Sequence, residues 1–284
     1  MAINVRDLKL YGSATMPDDD AITNIGGAES TSVKLEFVDL AGLFQLVSSS
    51  GVDTTGQVQV HYKDTVDVLT NVTLTAGGLT PVAGGVNIGQ LMKALKLAAP
   101  WKGDIAIEGA TAEFSGTAVS GSADGRIVLP AGASSTDNAY AGMVIRLLTG
   151  TGAGQIRWIV AYNGVTKEAT LNRAWDKSDL GTFYPVGIPD GTTTFRISKG
   201  IVFDKAPFEI HQVRRPFYNA AASLGGGAKE YYEKGFWRNT TGQVLTGGSV
   251  REVSDPPGRI TFGVATTIND TGTNGPGNSR QVAP

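Results

Sequence analysis

The chain has 284 residues, of which 41% are hydrophobic, and its formal net charge is −2. That length and apolar content suffice for one large domain or two to three small ones, which excludes a disordered chain. The balanced charge provides no global positive field that would attract nucleic acid or an anionic membrane. The absence of cysteine excludes disulfides, thiolate metal sites and a cysteine nucleophile.

Glycine and the charged residues depart from their usual proportions. The chain contains 38 glycines and only 18% charged residues, against about 25% in an average domain. Such a composition favours many turns and few solvated helical faces. The N-terminus lacks the basic and apolar regions of a secretory signal, and no apolar run reaches about 18 residues. We therefore expect neither standard export nor a membrane span.

Residues 1–30 are predicted to form an N-terminal arm. A strand is expected at Ile3–Tyr11, followed by a loop that contains Asp18, Asp19 and Asp20. A calcium site needs oxygen ligands at staggered positions and usually a bidentate acid further along the chain. Because the aspartate triplet lacks that pattern, we predict a solvated loop without a metal ion.

Residues 31–114 are predicted to form a β-domain with one helix. Val58, Val60 and Tyr62 alternate with polar residues, and the segments at 33–37 and 68–75 alternate in the same way. This is the pattern of an antiparallel sheet with one wet face.

The helix of this domain is predicted at about 87–99. Asn87 suits an N-cap, Pro100 ends the element, and the apolar residues between them follow the i, i+3, i+4, i+7 spacing of an amphipathic helix. These apolar residues are Ile88, Leu91, Met92 and Leu95.

Residues 115–200 are predicted to form a β-meander or sandwich domain, which begins with a domain seam at 115–125 that is small and polar enough to be a long loop or linker. A strand is expected at Met143–Leu148, and the alternation from Gln155 places Trp158 and Tyr162 on one face and Arg157 on the other. We predict that Trp158 and Tyr162 point into a sandwich core and that Arg157 points away.

Two further strands are predicted in this domain. After a turn at Asn163-Gly164, Ala169 and Leu171 are expected to face together. A final strand is expected at Thr193–Ile197, after an Asp190-Gly191 turn.

Three glycines in this domain, Gly150, Gly152 and Gly154, resemble a phosphate-binding loop. A dinucleotide fingerprint needs its third glycine three residues after the second and a helix next, and a P-loop needs Gly-Lys-Ser/Thr. Neither pattern is present, and a strand pattern follows. We predict a hairpin turn.

Residues 201–268 are predicted to form an aromatic-rich C-terminal β-domain, and residues 269–284 a C-terminal arm. Strands are expected at Val244–Val253 and Arg259–Val264, separated by a turn at Asp255–Gly258. The tail contains almost no core-forming residues. The predicted fold class is therefore mainly β, with two to three antiparallel sandwich or barrel-like modules, one short helix and extended terminal arms.

No catalytic, cofactor or metal site is predicted. The two histidines, His61 and His211, lack a Ser-x-Gly elbow, a His-x-x-x-His spacing or a nearby paired acid. A pair of carboxylates could still converge from distant strands without a sequence signature, but nothing selects a pair among the 26 acids.

A candidate interface is formed by Arg214 and Arg215 with Phe217 and Tyr218. Arginine and aromatic side chains can stack on a base or a sugar. They are also enriched at protein interfaces, and we favour an inter-subunit contact.

Three parts of the chain resemble structural proteins of tailed-bacteriophage virions. The most specific is DNAYAGMVIRLLTGTGAGQIRWIVAYNGVTKEATLNRAW, with its glycine-rich turn, Gln-x-Arg, Tyr-Asn-Gly turn and terminal Ala-Trp. The others are QLVSSSGVDTTGQVQVHYKD with GDIAIEG, and YYEKGFWRNTTGQVLTGGSVREVSDPPGRITF. Similar modules occur in capsid decoration proteins, tail proteins and fibres. A major capsid protein is disfavoured, because that family is built around a long spine helix.

The resemblance implies a non-enzymatic decoration or cement protein on the outer surface of a phage capsid. Its expected partners are the major capsid protein or other virion proteins and further copies of itself, as a homotrimer, without nucleic acid, membrane or cofactor. Its expected location is the virion, assembled in the host bacterial cytoplasm. A second hypothesis is a tail or head-fibre component that binds host carbohydrate through Trp158, Trp175 or Trp237. A polysaccharide-cleaving enzyme is the least favoured.

Overall fold

Antiparallel strands form all of the regular secondary structure in the part of the chain that the computed structural model describes. This part comprises residues 8–13, 29–36, 38, 40–66, 68–97, 101–176, 186–203, 210–213, 235–239, 263–265 and 280–282. The mainly β fold class is thereby confirmed. The strands are β1 (Leu8–Ser13), β2 (Glu29–Glu36), β3 (Gly42–Ser48), β4 (Gln57–Asp64), β5 (Leu69–Thr75), β6 (Val82–Lys96), β7 (Ile105–Gly109), β8 (Phe114–Thr117), β9 (Ser120–Ser122), β10 (Arg126–Val128), β11 (Val144–Thr149), β12 (Ile156–Asn163), β13 (Glu168–Leu171), β14 (Thr194–Ser198), β15 (Gly200–Phe203), β16 (Ile210–Val213), β17 (Gly235–Asn239), β18 (Gly263–Ala265) and β19 (Arg280–Val282).

The chain divides into two compact units. One comprises Met1–Leu35 with Phe217–Pro284, and the other Glu36–Pro216. In the first unit, β1 pairs antiparallel with β2 and with β17, and β18 pairs with β19. The predicted boundaries of the domains and arms stay predictions.

The second unit contains two sheets. In the first sheet the strands lie in the order β15, β7, β3, β6, β16, while β4 pairs with β6 and β5 pairs with β4. Val58, Val60 and Tyr62 of β4 are buried as predicted, in a core to which β3, β5, β6, β7 and β15 also contribute. Among the described strands of this sheet, β5 lies at the edge.

The helix predicted at about 87–99 is wrong, because Val82–Lys96 form the long strand β6. The pairing of β4 with β6 skips one residue at Gly89 and another at Met92. Each such β-bulge adds a residue without a partner, so the core residues Ile88, Leu91 and Ala94 are three positions apart instead of two. Two bulges thus produced the spacing of a helix, and pairing on both sides of the strand decided its conformation.

The second sheet has the order β8, β14, β11, β12, β13, β10, β9. Its two edge strands are consecutive in sequence and are joined only through Ala118 and Val119, which span about 11 Å at most between the flanking residues. The sheet must therefore curl until its ends approach each other, as in a barrel-like module. Its core includes Ala169 and Leu171, which face together as predicted. The predicted seam at 115–125 is wrong as a linker, because β8 and β9 form there.

The predicted register of β12 is half right. Tyr162 is buried in the core of the second sheet, but Arg157 is fully buried too, and Trp158 is only half-buried. The pairing of β12 with β13 skips Val160, so Tyr162 shares a face with Ile159 and Arg157. One bulge changed the alternation halfway along the strand.

The glycine-rich segment is a hairpin turn between β11 and β12, as predicted. Gly150, Gly152 and Gly154 have φ of 78°, 79° and 92°, which L side chains rarely adopt. The turn after β12 also forms, but its left-handed residue is Lys167, with φ of 59°, and not Asn163 or Gly164.

Candidate functional site

Strand β7 is buried on both faces and joins the two sheets of the second unit. Ile105 and Ile107 point into the core of the first sheet. Ala106 lies on the opposite face, between two acidic residues that flank it at alternate positions, Asp104 and Glu108. Side chains of the second sheet meet this face. We call the surface where the two sheets meet through Asp104, Ala106 and Glu108 the junction.

The centre of the junction is apolar. Its small core contains residues of both sheets, with half-buried Trp158 packed against it. Small aliphatic side chains on both sides allow the sheets to approach closely. The residues are Val47, Ala106 and Val202 from the first sheet, and Val144 and Ile156 from the second.

Glu108 lies on one side of this apolar centre and is fully buried. Arg146 donates to Glu108 Oε1 from Nη2 at 2.9 Å and from Nε at 3.1 Å. Ser198 Oγ donates to Oε2 at 3.0 Å, and Gln45 Nε2 donates to Oε1 at 2.7 Å. Both carboxylate oxygens therefore have donors, which a buried charge requires. Arg146 and Ser198 belong to the second sheet and Glu108 to the first, so this ion pair ties the sheets together.

Asp104 lies on the other side, where the fully buried Arg157 reaches it from β12. Arg157 Nη1 is 3.3 Å from Asp104 Oδ2, and Arg157 Nη2 is 3.1 Å from Asp176 Oδ2. Arg173 bridges the same two carboxylates, with Nη1 at 3.0 Å from Asp176 Oδ1. Two arginines thus share two aspartates, and only Asp104 comes from the first sheet.

The remaining donors of Arg157 are also used. They reach the backbone oxygens of Ile156 and Ala174 and the side-chain oxygen of Gln155, and the guanidinium carbon lies 5.3 Å from the centre of the Trp175 ring. A lysine could not replace this planar fork of donors.

Burial and charge oppose each other in this cluster. Burial, together with repulsion from Arg173, lowers the pKa of Arg157 to about 10, against the attraction of Asp104 and Asp176. Burial pushes the pKa of Asp176 upward, but the fields and hydrogen bonds of Arg157 and Arg173 outweigh it and hold that pKa below its ordinary value. At neutral pH the folded protein therefore contains Arg157 in its protonated form and Asp176 in its ionised form.

The chemistry of the junction is structural. Its carboxylates are held by guanidinium groups, which remain protonated and cannot act as a general base or acid near neutral pH. Among the described residues, no group of three or more histidine, cysteine or acidic side chains could hold a metal ion. What this arrangement can do is fix the angle and distance between two sheets.

The predicted interface of Arg214, Arg215, Phe217 and Tyr218 lies outside the described residues, as do Asp18, Asp19 and Asp20. His61 lies on β4, with Nε2 3.1 Å from Gln59 Oε1. His211 lies on β16, opposite Ala94 of β6. The structure therefore adds the junction without testing the predicted interface.

Sequence reasoning missed the junction, although one signal pointed to it. The segment Asp104–Glu108 places acids at both ends of an apolar strand, in phase with Ala106 and out of phase with Ile105 and Ile107. Such alternation normally indicates a strand with one solvated face, but acids that are buried need cations opposite them, so the pattern also fits buried ion pairs. Their identity could not be read, because they come from three distant segments.

The tryptophans differ in exposure. Trp175 is buried and donates from Nε1 to Arg126 O at 3.1 Å. Trp158 is half-buried against the junction, whereas Trp237 on β17 is 61% exposed. One of the three indoles is therefore on the surface.

Comparison with protein-family models, with curated proteins and with solved structures found no match to this chain. In the part of the chain that the structure describes, no helix has the length and apolar character to cross a membrane.

Proposed function

We propose that this chain is a structural component of a bacteriophage virion, a decoration or cement protein that binds the outer surface of the capsid and stabilises it through contacts between subunits. It would be located in the virion and assembled in the host bacterial cytoplasm. The proposal rests on the resemblance of three segments to virion structural proteins, two of which contribute residues to the junction.

The observation that carries the proposal is the junction itself. Fully buried Glu108 and Arg157 lie on either side of the small apolar cluster through which the two sheets, each with its own core, contact each other. Buried ion pairs add little net stability compared with apolar contacts, but they demand one geometry. A body that keeps two modules in one orientation suits a subunit that must hold its neighbours at fixed positions.

The proposed partners are the major capsid protein or other virion proteins, together with further copies of this chain as a homotrimer. Threefold positions of a capsid lattice would accommodate such trimers. No enzymatic activity, nucleic-acid binding, cofactor or membrane contact is part of the proposal.

The copy number of the protein in purified virions tests the position. Quantitative mass spectrometry would compare it with the major capsid protein of the same particles. A lattice protein is expected in hundreds of copies, whereas about six or twelve would indicate a tail ring and would contradict the cement function. A virion map at subunit resolution would show the position directly.

A second function is favoured by one observation. Trp237 is 61% exposed, and an exposed indole can stack on a sugar ring, which would suit a tail or head-fibre component that binds host carbohydrate. A glycan array would test this with Trp237→Ala and the control Val165→Ala, because Val165 is 85% exposed. Binding that is lost only in the Trp237 variant would support the second function, and an array without binding would dismiss it.

A further inference from the structure

Strand β5 is an edge of the first sheet. It pairs with β4 in an unbroken register from Leu69 to Thr75. Among the described residues, no strand pairs with its other side. Within the described part of the chain, the backbone groups on that side are therefore open to another strand.

The ladder identifies which backbone groups these are. Ala76 N–H donates to Gly56 O at 2.8 Å, and Asp64 N–H donates to Val68 O at 2.9 Å. Both fit a ladder in which the even-numbered residues of β5 exchange hydrogen bonds with β4. In an antiparallel pair the residues between them direct N–H and C=O away from the partner. They are Leu69, Asn71, Thr73 and Thr75, and all four are exposed.

This edge lacks the features that commonly prevent strand pairing. Natural sheets protect their edges with charged side chains, proline or bulges. The sequence of β5, LTNVTLT, contains neither a charge nor a proline, and its pairing with β4 has no bulge. Because it is neutral, β5 can meet an identical strand without repulsion between like charges.

Exposed apolar side chains lie near both ends of β5. At one end Val66 and Val68 are 75% and 56% exposed, and Leu69 is 59% exposed. Asp64 Oδ1 holds this turn by accepting from the N–H groups of Val66 and Val68, both at 2.9 Å. At the other end, Leu79 is 49% exposed in the turn that follows. An antiparallel copy would bring the two apolar ends together.

We propose that β5 pairs antiparallel with β5 of a second copy, about a twofold axis at Val72. This register places Leu69 opposite Thr75 of the second copy and Asn71 opposite Thr73. Every outward-facing residue then joins a hydrogen-bonded pair. Continued past the strand, the register brings Val68 of each copy opposite Ala76 of the other, beside the turn that exposes Leu79. The same patch serves both copies, as a twofold interface requires.

This interface goes beyond the proposed function and does not depend on it. Strand pairing about a twofold axis closes at two copies, so the proposed homotrimer would use a different surface. The tests below use the isolated protein. A negative result would therefore contradict this dimer without bearing on the proposed place of the chain in a virion.

Disulfide cross-linking tests the register, since the wild-type chain has no cysteine that could compete with introduced ones. Asn71→Cys mixed with Thr73→Cys should form disulfide-linked dimers, because a hydrogen-bonded pair has a Cα separation of about 5.5 Å. Each variant alone should cross-link less, since identical residues meet only diagonally. Exposed Gln57→Cys on β4, mixed with Thr73→Cys, is the matched control. A mixture that cross-links no better than this control would overturn the proposal.

Mass measurement in solution tests the association itself. We expect the wild-type protein to form dimers increasingly as its concentration rises to about 100 µM. The association is weak, because one strand pair buries less surface than the roughly 1,200 Å² of a stable interface. Thr73→Pro removes an outward N–H alone and should weaken dimerisation at least tenfold. If the proline variant does not fold, Thr73→Lys takes its place in the experiment, because a charge on an edge strand also disfavours strand pairing. A monomer at every concentration, or variants that dimerise like the wild type, would overturn the proposal.

Discussion

Arg157 illustrates how much one buried side chain can depend on its neighbours. It is fully buried, and its donors are divided among two carboxylates, the Gln155 side chain and backbone oxygens. Burying the charge is costly, yet removing it leaves the carboxylates with a single counter-ion. Arg157 therefore stabilises the fold mainly by neutralising the carboxylates of Asp104 and Asp176.

Replacing Arg157 with methionine should lower the free energy of unfolding by about 3–5 kcal/mol, because Asp104 and Asp176 would share only Arg173. Urea unfolding measures the change. The control Arg126→Met removes an arginine whose side chain is 44% exposed, and its effect should be much smaller. Equal losses of unfolding free energy in the two variants would show that the effect of Arg157 on stability does not come from its buried ion pairs.

Gly150 is a second residue whose identity follows from its surroundings. It has φ of 78°, and a Cβ there would overlap the carbonyl oxygen of Thr192. We expect Gly150→Ala to cost about 1–3 kcal/mol of stability, measured by thermal or urea unfolding. Gly132→Ala is the control, because its Cβ would meet nothing within 4 Å. A loss in the control as large as in Gly150→Ala would contradict the backbone explanation.

At the scale of elements, one buried carboxylate connects the end of β3 to the segment before β7. Asp53 accepts hydrogen bonds from Ser48 Oγ at 2.6 Å and from the N–H groups of Lys102 and Gly103, both at 2.9 Å. It thus positions the start of β7, and with it the first acid of the junction. The connection spans about fifty residues of sequence and could not be read from local patterns.

Asp53→Ala should destabilise the protein by about 3 kcal/mol, since it leaves buried donors without an acceptor. Hydrogen exchange at the Lys102 and Gly103 amides should become faster than in the wild type. Asp190→Ala is the control, because Asp190 caps an exposed turn through Thr192. Unchanged exchange at residues 102 and 103 would refute this function of Asp53.

At the scale of the whole molecule, the junction gives stability a dependence on pH. The pKa of Asp176 is held below its ordinary value, because Arg157 and Arg173 outweigh the effect of burial. A carboxylate with a lowered folded-state pKa contributes stability above its unfolded pKa of about 3.9, and that contribution is lost as the pH falls through the folded value. Protonation of Asp176 in acid therefore weakens its ion pairs with Arg157 and Arg173.

We expect the free energy of unfolding to decrease as the pH is lowered below about 4. Asp176→Asn should reduce stability at neutral pH and also reduce this acid dependence, since the titrating group is gone. Urea unfolding between neutral and acidic pH measures both. Wild type and variant with parallel pH profiles would exclude Asp176 as a source of the dependence.

The strands of this protein were largely readable from local patterns. The alternation in β4 and β13, the position of β12, the glycine turn and the Asp190-Gly191 turn were all predicted and found. These features depend on neighbours along the chain: side chains alternate in a strand, and glycine tolerates positive φ.

The sequence by itself thus determined that this protein is mainly β and where many of its strands lie. Only the tertiary structure decided the strand pairing that makes 82–96 a strand with bulges at Gly89 and Met92, and the bulge at Val160 that changes the register within β12. It also decided that Asp104 and Glu108 face arginines from distant strands. The physical reason is common to all of these: bulges and buried charges are fixed by partners far away in sequence, and no local pattern records them.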